Sequence, residues 1–236
     1  MNDKILKRAR ALLAMSQDAT SENEAMIAMK QLHILMAKYN MSLDALEETE
    51  HVVGSSNTEL VRWPWKNWIF GGVTELYFCS YYITPTKKNY AQYFVVGTDF
   101  NREFAMSIAQ NAVRLIEQLA KEECKKHHGK IVSSFISSFH NGAGIRIHQR
   151  CKELVAAAKA GTLEDDDGKN LPMMINQYDQ HASANDEFKS HLGLRKSKSG
   201  TRTSSAEGYA AGKEAGNRVQ LNRALQSKHA TKLIGN

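Results

Sequence analysis

The sequence predicts a mostly helical α+β fold: an N-terminal helical hairpin, a small antiparallel two-stranded element packed on long helices, and a basic C-terminal helix. Three observations carry this. Apolar residues recur three and four apart over most of the chain, the period of a one-sided helix. Two runs rich in Tyr, Phe, Ile and Val are separated by a short polar connection, the pattern of a β-hairpin. The last fifth exchanges acidic residues for Lys and Arg and carries glycines at helical spacing.

The elements follow in order. Ile5, Leu6, Ala9, Leu12 and Leu13 form one apolar stripe, broken by the polar run Ser16 to Thr20. Ser21-Glu22-Asn23-Glu24 has the form of a capping box, in which side chain and backbone satisfy each other's unpaired groups. Ala25, Ala28, Met29, Leu32, Leu35, Met36 and Tyr39 give the second stripe, and Asn40 suits its end. Trp63-Pro64-Trp65 opens a further helix, with Pro64 near the first turn where no N–H is missed. Strands are expected over Cys79 to Thr84 and Tyr90 to Val96. Thr98 is placed to cap a long helix whose buried face is Phe100, Phe104, Ile108, Ala112, Leu115, Ile116 and Leu119. His127-His128-Gly129 ends it. The next helix carries Phe135, Phe139, Gly142, Ala143, Cys151, Leu154 and Val155 and closes at Gly161, and a last one starts at Ser204. The implied organisation is a hairpin module over 1–47, a linker over 48–62, an α+β core over 63–161, an irregular segment over 162–203, and a basic helix and tail over 204–236.

Composition narrows the function classes. No apolar run approaches the roughly 20 residues that span a membrane, and the first residues lack the plan of a secretory signal. A cytoplasmic protein without membrane partners is expected. Cys79, Cys124 and Cys151 are odd in number, far apart and free of any C-x-x-C, which argues against a disulfide framework or zinc knot.

Charge is the most informative feature. The chain carries a net +6. Residues 191–236 hold nine Lys or Arg against two acids, a net +7, and the preceding 190 residues hold 22 bases and 23 acids, a net −1. Such asymmetry fits a polyanionic partner. The candidate phosphate-contacting residues are Arg195, Lys196, Lys198 and Arg202 in a Ser/Gly-rich stretch, then Lys213, Arg218 and Arg223 on the final helix.

A resemblance rests on particular stretches. Ile5 to Ser16, then Asn23-Glu24-Ala25, then Leu35-Met36-Ala37-Lys38-Tyr39-Asn40-Met41 resemble the N-terminal module of the bacterial and phage family catalogued as domain of unknown function 2786. Phe94-Val95-Val96-Gly97, the run from Ser134 through Gly142 to Arg150, and Tyr209 to Arg218 are similar to stretches that follow that module. The resemblance implies a phage or mobile-element setting and supplies no activity and no catalytic residue.

Other motifs favour bland readings. Gly208, Gly212 and Gly216 share one helical face. Each costs about 1 kcal/mol against Ala in a helix interior, so close backbone packing or close approach to a ligand must offset them. His127, His128, His140 and His148 lack metal-ligand spacing, since eight residues separate the last two. Glu164 to Asp167 lack the alternating ligands of a calcium loop. Trp63, Trp65 and Trp68 fit a core or interdomain role better than base stacking. No nucleophile elbow is present. The expectation is a non-enzymatic nucleic-acid-binding accessory protein without cofactor or metal, its contacts falling on phosphates. The alternative is an interaction module that inhibits or redirects a host protein through the hairpin, and a third reading is an enzyme whose site forms only in the fold.

Overall fold

The computed structural model describes residues 52–85, 90–163, 170, 173–194 and 203–219, with residues 4, 5, 7–9, 11, 12, 15, 31 and 35. Its elements are β1 (Gly54–Val61), α1 (Lys66–Leu76), β2 (Ser80–Pro85), β3 (Ala91–Gly97), α2 (Asp99–His128), α3 (Ser133–Ala160), α4 (Ile175–Ser190) and α5 (Ala206–Arg218). Mostly helical with a small antiparallel sheet, it is the expected class. The chain divides into two units. One holds Met1–Glu50, Ala157–Gln177 and Asn222–Asn236, and the other His51–Ala156 and Tyr178–Leu221.

In the first unit every described position between Lys4 and Leu35 is helical. Ala9 and Leu12 are buried, whereas Leu35, expected in the core, is half-buried. The Ser21 capping box and Leu32 lie outside the described residues. At the end of α3, Gly161 takes the left-handed conformation (φ 67°), and Met174 N–H donates to the Ala158 carbonyl at 3.0 Å, above a core of Leu163 and Met174.

The second unit is built on a sheet of order β1-β3-β2, antiparallel throughout. It has three strands where two were expected. Gly54-Ser-Ser-Asn-Thr-Glu-Leu-Val reads as linker because an edge strand with one wet side needs no apolar alternation. It is recruited by the backbone groups of β3, pairing Gly54 to Gly97 and Asn57 to Phe94. The register shifts between Asn57 and Val61, where Glu59 has φ 60° and the Asn57 side chain accepts from its N–H at 2.8 Å. The sheet's inner face meets α1. Tyr93, fully buried, stacks on Phe70 with centroids 4.2 Å apart and rings 6° from parallel, a geometry worth about 0.5–1.5 kcal/mol beyond burial.

Helix α1 ends in a Schellman motif. Cys79 N–H reaches the Thr74 carbonyl at 2.7 Å and Phe78 N–H the Glu75 carbonyl at 3.1 Å. The left-handed position is held by Phe78 (φ 58°) instead of glycine, a strain of order 1–3 kcal/mol. Helix α4 offsets it. The Phe78 ring lies 4.5 Å from Tyr178 and 5.2 Å from His181, its carbonyl accepts from Asn185 Nδ2 at 3.1 Å, and Tyr178 Oη donates to the Leu76 carbonyl. Residues 175–190 were expected to be irregular. Their buried face is Tyr178, His181 and Asn185, so no apolar stripe announces the helix.

Thr98 stands at the N-cap of α2, but its side chain makes no capping bond; Arg102 instead ties that corner together through Ser56 Oγ, the Gly97 carbonyl and Asp99. Phe104, Ile108, Ala112 and Ile116 are buried as expected, while Leu115 is exposed, Leu119 is half-buried and the Phe100 side chain lies outside the described residues. Gly129, left-handed at φ 67°, ends α2.

Candidate nucleic-acid interface

Helix α5 is the part of the expected interface that the structure describes, and its sequence dictates how it sits. Gly208, Gly212 and Gly216 face Phe135, Phe139 and Ala143 of α3. Residues rise by four on both sides, so the helices run parallel. A Cβ on Gly208 would stand 2.6 Å from the Phe135 carbonyl oxygen and one on Gly216 2.9 Å from that of Ala143. On Gly212 it would collide with the Phe139 carbonyl, and on Gly142 of α3 with the Tyr209 carbonyl. This is the close-packing reading of the glycines, with main chain against main chain.

Both ends of α5 are fastened. Ser205 is the N-cap, its Oγ accepting from Gly208 N–H at 3.0 Å. The buried Ser138 Oγ accepts from the N–H groups of Ser204 and Ser205 at 3.0 and 2.9 Å. At the other end the buried Arg150 donates to the carbonyls of Gly216 and Val219 at 2.7 and 2.5 Å, satisfying acceptors that a helix leaves open. Glu207 in the first turn lies 2.7 Å from His127 Nδ1 and 3.7 Å from His128 Nε2, at the C-terminus of α2.

The exposed face that remains carries Glu207, Lys213, Glu214 and Arg218, two charges of each sign. Arg218 is paired with Glu214 at 3.1 Å, an i,i+4 contact that halves its availability to a phosphate. Of the seven candidate residues, then, Lys213 and Arg218 stand on one exposed helix. Arg195, Lys196, Lys198, Arg202 and Arg223 lie outside the described residues. Because α5 is neutral on balance, the whole +7 excess of residues 191–236 belongs to the chain entering and leaving that helix.

A second cluster was not expected. Lys66, in the first turn of α1, is buried and reaches Glu117 of α2 at 2.9 Å, with its ammonium 5.5 Å from the Trp65 ring centroid. His140 of α3 stacks on the same Trp65 at 4.4 Å, and its buried Nε2 has no hydrogen-bond partner. Burial holds the His140 imidazole down at about 4, against smaller opposed influences of Glu117 and the lysines Lys66 and Lys121. The signal for this cluster was a lysine at a helix N-terminus, against the dipole, beside a tryptophan. His148 is likewise lowered by burial; its Nδ1 lies 3.2 Å from the Trp68 carbonyl. His140 and His148 therefore belong to separate tryptophans. Among the described residues no three His, Cys, Asp or Glu side chains gather to hold a metal ion.

Cys79, Cys124 and Cys151 are buried free thiols. Burial pushes Cys151 up to about 12 and raises Cys79 further, so neither is a thiolate nucleophile near neutral pH. No described helix is long and apolar enough to cross a membrane.

Comparison with protein families adds one finding. Residues 4–43 match the family model described as Protein of unknown function (DUF2786). The match covers the N-terminal segment on which the resemblance rests, and the later similar stretches lie beyond it. No curated protein and no solved structure matches the chain.

Proposed function

We propose that the protein is a nucleic-acid-binding accessory protein of phage or mobile-element type, non-enzymatic, that holds phosphates through Arg195, Lys196, Lys198, Arg202, Lys213, Arg218 and Arg223. One observation carries the reading: the +7 excess of residues 191–236 sits on the stretches of chain at either end of a fastened helix whose own exposed face is neutral. Structural charge would be expected on the helix, paired with acids. Charge placed beside it is available to a polyanion, and α5 supplies a fixed anchor. Phosphate contacts of this kind position a protein on a strand without reading its sequence.

The test is fluorescence anisotropy with single- and double-stranded oligonucleotides over a salt series. Each neutralised phosphate contributes a log–log slope of about −0.9 on duplex or about −0.7 on single strands. Replacing Arg195, Lys196, Lys198 and Arg202 with Gln is expected to weaken binding alike across sequences and flatten the slope by roughly one unit for each phosphate that is no longer neutralised. Equal binding by substituted and parent proteins, or none by either at low salt, removes the proposal.

A further inference from the structure

The phosphate contacts account for affinity to any nucleic acid, and a different part of the molecule distinguishes its form. Side chains alternate across a strand. With Tyr93 and Val95 buried on the inner face of β3, Gln92 and Phe94 turn outward, and Tyr90 continues that alternation just before the strand. Phe94 stacks across the sheet on Tyr82, centroids 5.1 Å apart, and both are half-buried. Val96 is fully buried, so the open part of this face is its Tyr90 end.

Exposed apolar side chains collect at that end. Tyr90 is 59% exposed, Trp63 58% and Val61 37%. The backbone bond from Arg62 N–H to the Ala91 carbonyl, at 2.7 Å, joins the immediate neighbours of Trp63 and Tyr90, and the Trp63 carbonyl accepts from Tyr93 Oη at 2.9 Å. Two large aromatic rings turned to water on a fixed backbone are a cost in a monomer unless something covers them. Charge and polarity name the occupant. Between the paired residues Pro85 and Ala91 the sequence reads Thr-Lys-Lys-Asn-Tyr, two adjacent cations without an acid. Arg62 adds a third, its Nε without a hydrogen-bond partner. Inward from the rings lie side-chain amides, Asn57 bonded to Gln92 at 3.1 Å, not further aliphatic groups. Aromatic faces, amides and cations together suit unstacked bases joined by phosphates. A protein partner would ask for aliphatic surface, and a duplex, whose bases are stacked inside, offers rings nothing to cover.

We propose that Trp63 and Tyr90, at the open end of the β1-β3-β2 sheet, form a stacking platform for the bases of single-stranded nucleic acid. This rests on the phosphate-binding reading above and adds to it a preference for single strands. It is tested with the full chain and labelled oligonucleotides of one sequence as single-stranded DNA, single-stranded RNA and duplex. Trp63→Leu and Tyr90→Leu keep apolar bulk at exposed positions and remove the rings, and melting curves confirm that each variant folds. Single-strand affinity is expected to fall roughly tenfold or more for each ring removed, with duplex affinity unchanged. Trp63→Phe, which retains a stacking face, is expected to recover most of the affinity. Unchanged single-strand binding in both Leu variants overturns the platform, as does equal weakening on duplex. A concentration-dependent dimer that these variants dissolve without affecting nucleic-acid binding overturns it in favour of a second copy. The two proposals fail separately: the four Gln substitutions act on single strands and duplex alike, and the Leu substitutions on single strands only.

Discussion

At the scale of single residues, the glycine and arginine contacts of α5 make the sharpest expectations. Gly212→Leu should unfold or grossly destabilise the protein, because a side chain there meets the Phe139 main chain. Gly212→Ala should already cost more than the about 1 kcal/mol that alanine gains in an open helix. Denaturant midpoints of the two variants check this, and wild-type stability in either would mean that the helices do not touch. Arg150→Met keeps most of the buried stem and deletes the donors to Gly216 and Val219. Leaving buried carbonyls unpaired costs about 1–3 kcal/mol, to be read as reduced hydrogen-exchange protection concentrated in the last turn of α5.

Elements show what the sequence could and could not say. Helices α1, α2, α3 and α5 were legible because their buried positions are apolar or glycine at helical spacing, and β2 and β3 because Tyr, Phe, Ile and Val crowd there. Strand β1 and helix α4 were not, for a shared reason: each is specified by its partner. Bonds to β3 hold Ser55 and Asn57 in a strand, and Phe78 and Leu76 recruit Tyr178 and Asn185 through polar groups that no apolar pattern records. The interface was half legible. Net charge located the basic segment, but only the structure shows that α5 itself is neutral, and Lys66 with Glu117 escaped notice because 51 positions separate them in sequence. Phe78 offers the test at this scale. Phe78→Gly relaxes the left-handed backbone yet withdraws the ring from Tyr178 and His181. A core phenylalanine truncation costs about 3–5 kcal/mol, more than the strain relieved, so the variant should melt lower. A higher midpoint would show that α4 does not hold this turn.

Over the whole molecule, the buried histidines couple stability to pH. The His140 imidazole is depressed from its ordinary 6.5 to about 4, so the unfolded chain takes up its proton first. The contribution of neutral His140 is then complete above about pH 6.5 and is lost as pH falls toward about 4, by about 1–3 kcal/mol at 1.36 kcal/mol per unit, discounted for the part of the ring that water reaches. His148 acts in the same direction. His140→Phe preserves a ring on Trp65 and removes the titration. Urea midpoints of parent and variant should therefore draw apart between pH 7 and pH 4, with the variant favoured in acid. Parallel curves would show that His140 is not buried as a neutral ring.

The meeting of α3 and α5 also restricts how this protein can change. Where two side chains crowd each other, enlarging one can be rescued by trimming its neighbour, and lineages wander through such exchanges. At Gly142, Gly208, Gly212 and Gly216 the obstacle is a carbonyl or a Cα, which is the same for every amino acid. No second substitution can shorten it. These four positions should behave as dead ends in a suppressor screen, each defect reverting only at its own codon, while the charged stretches beside α5 remain open to drift.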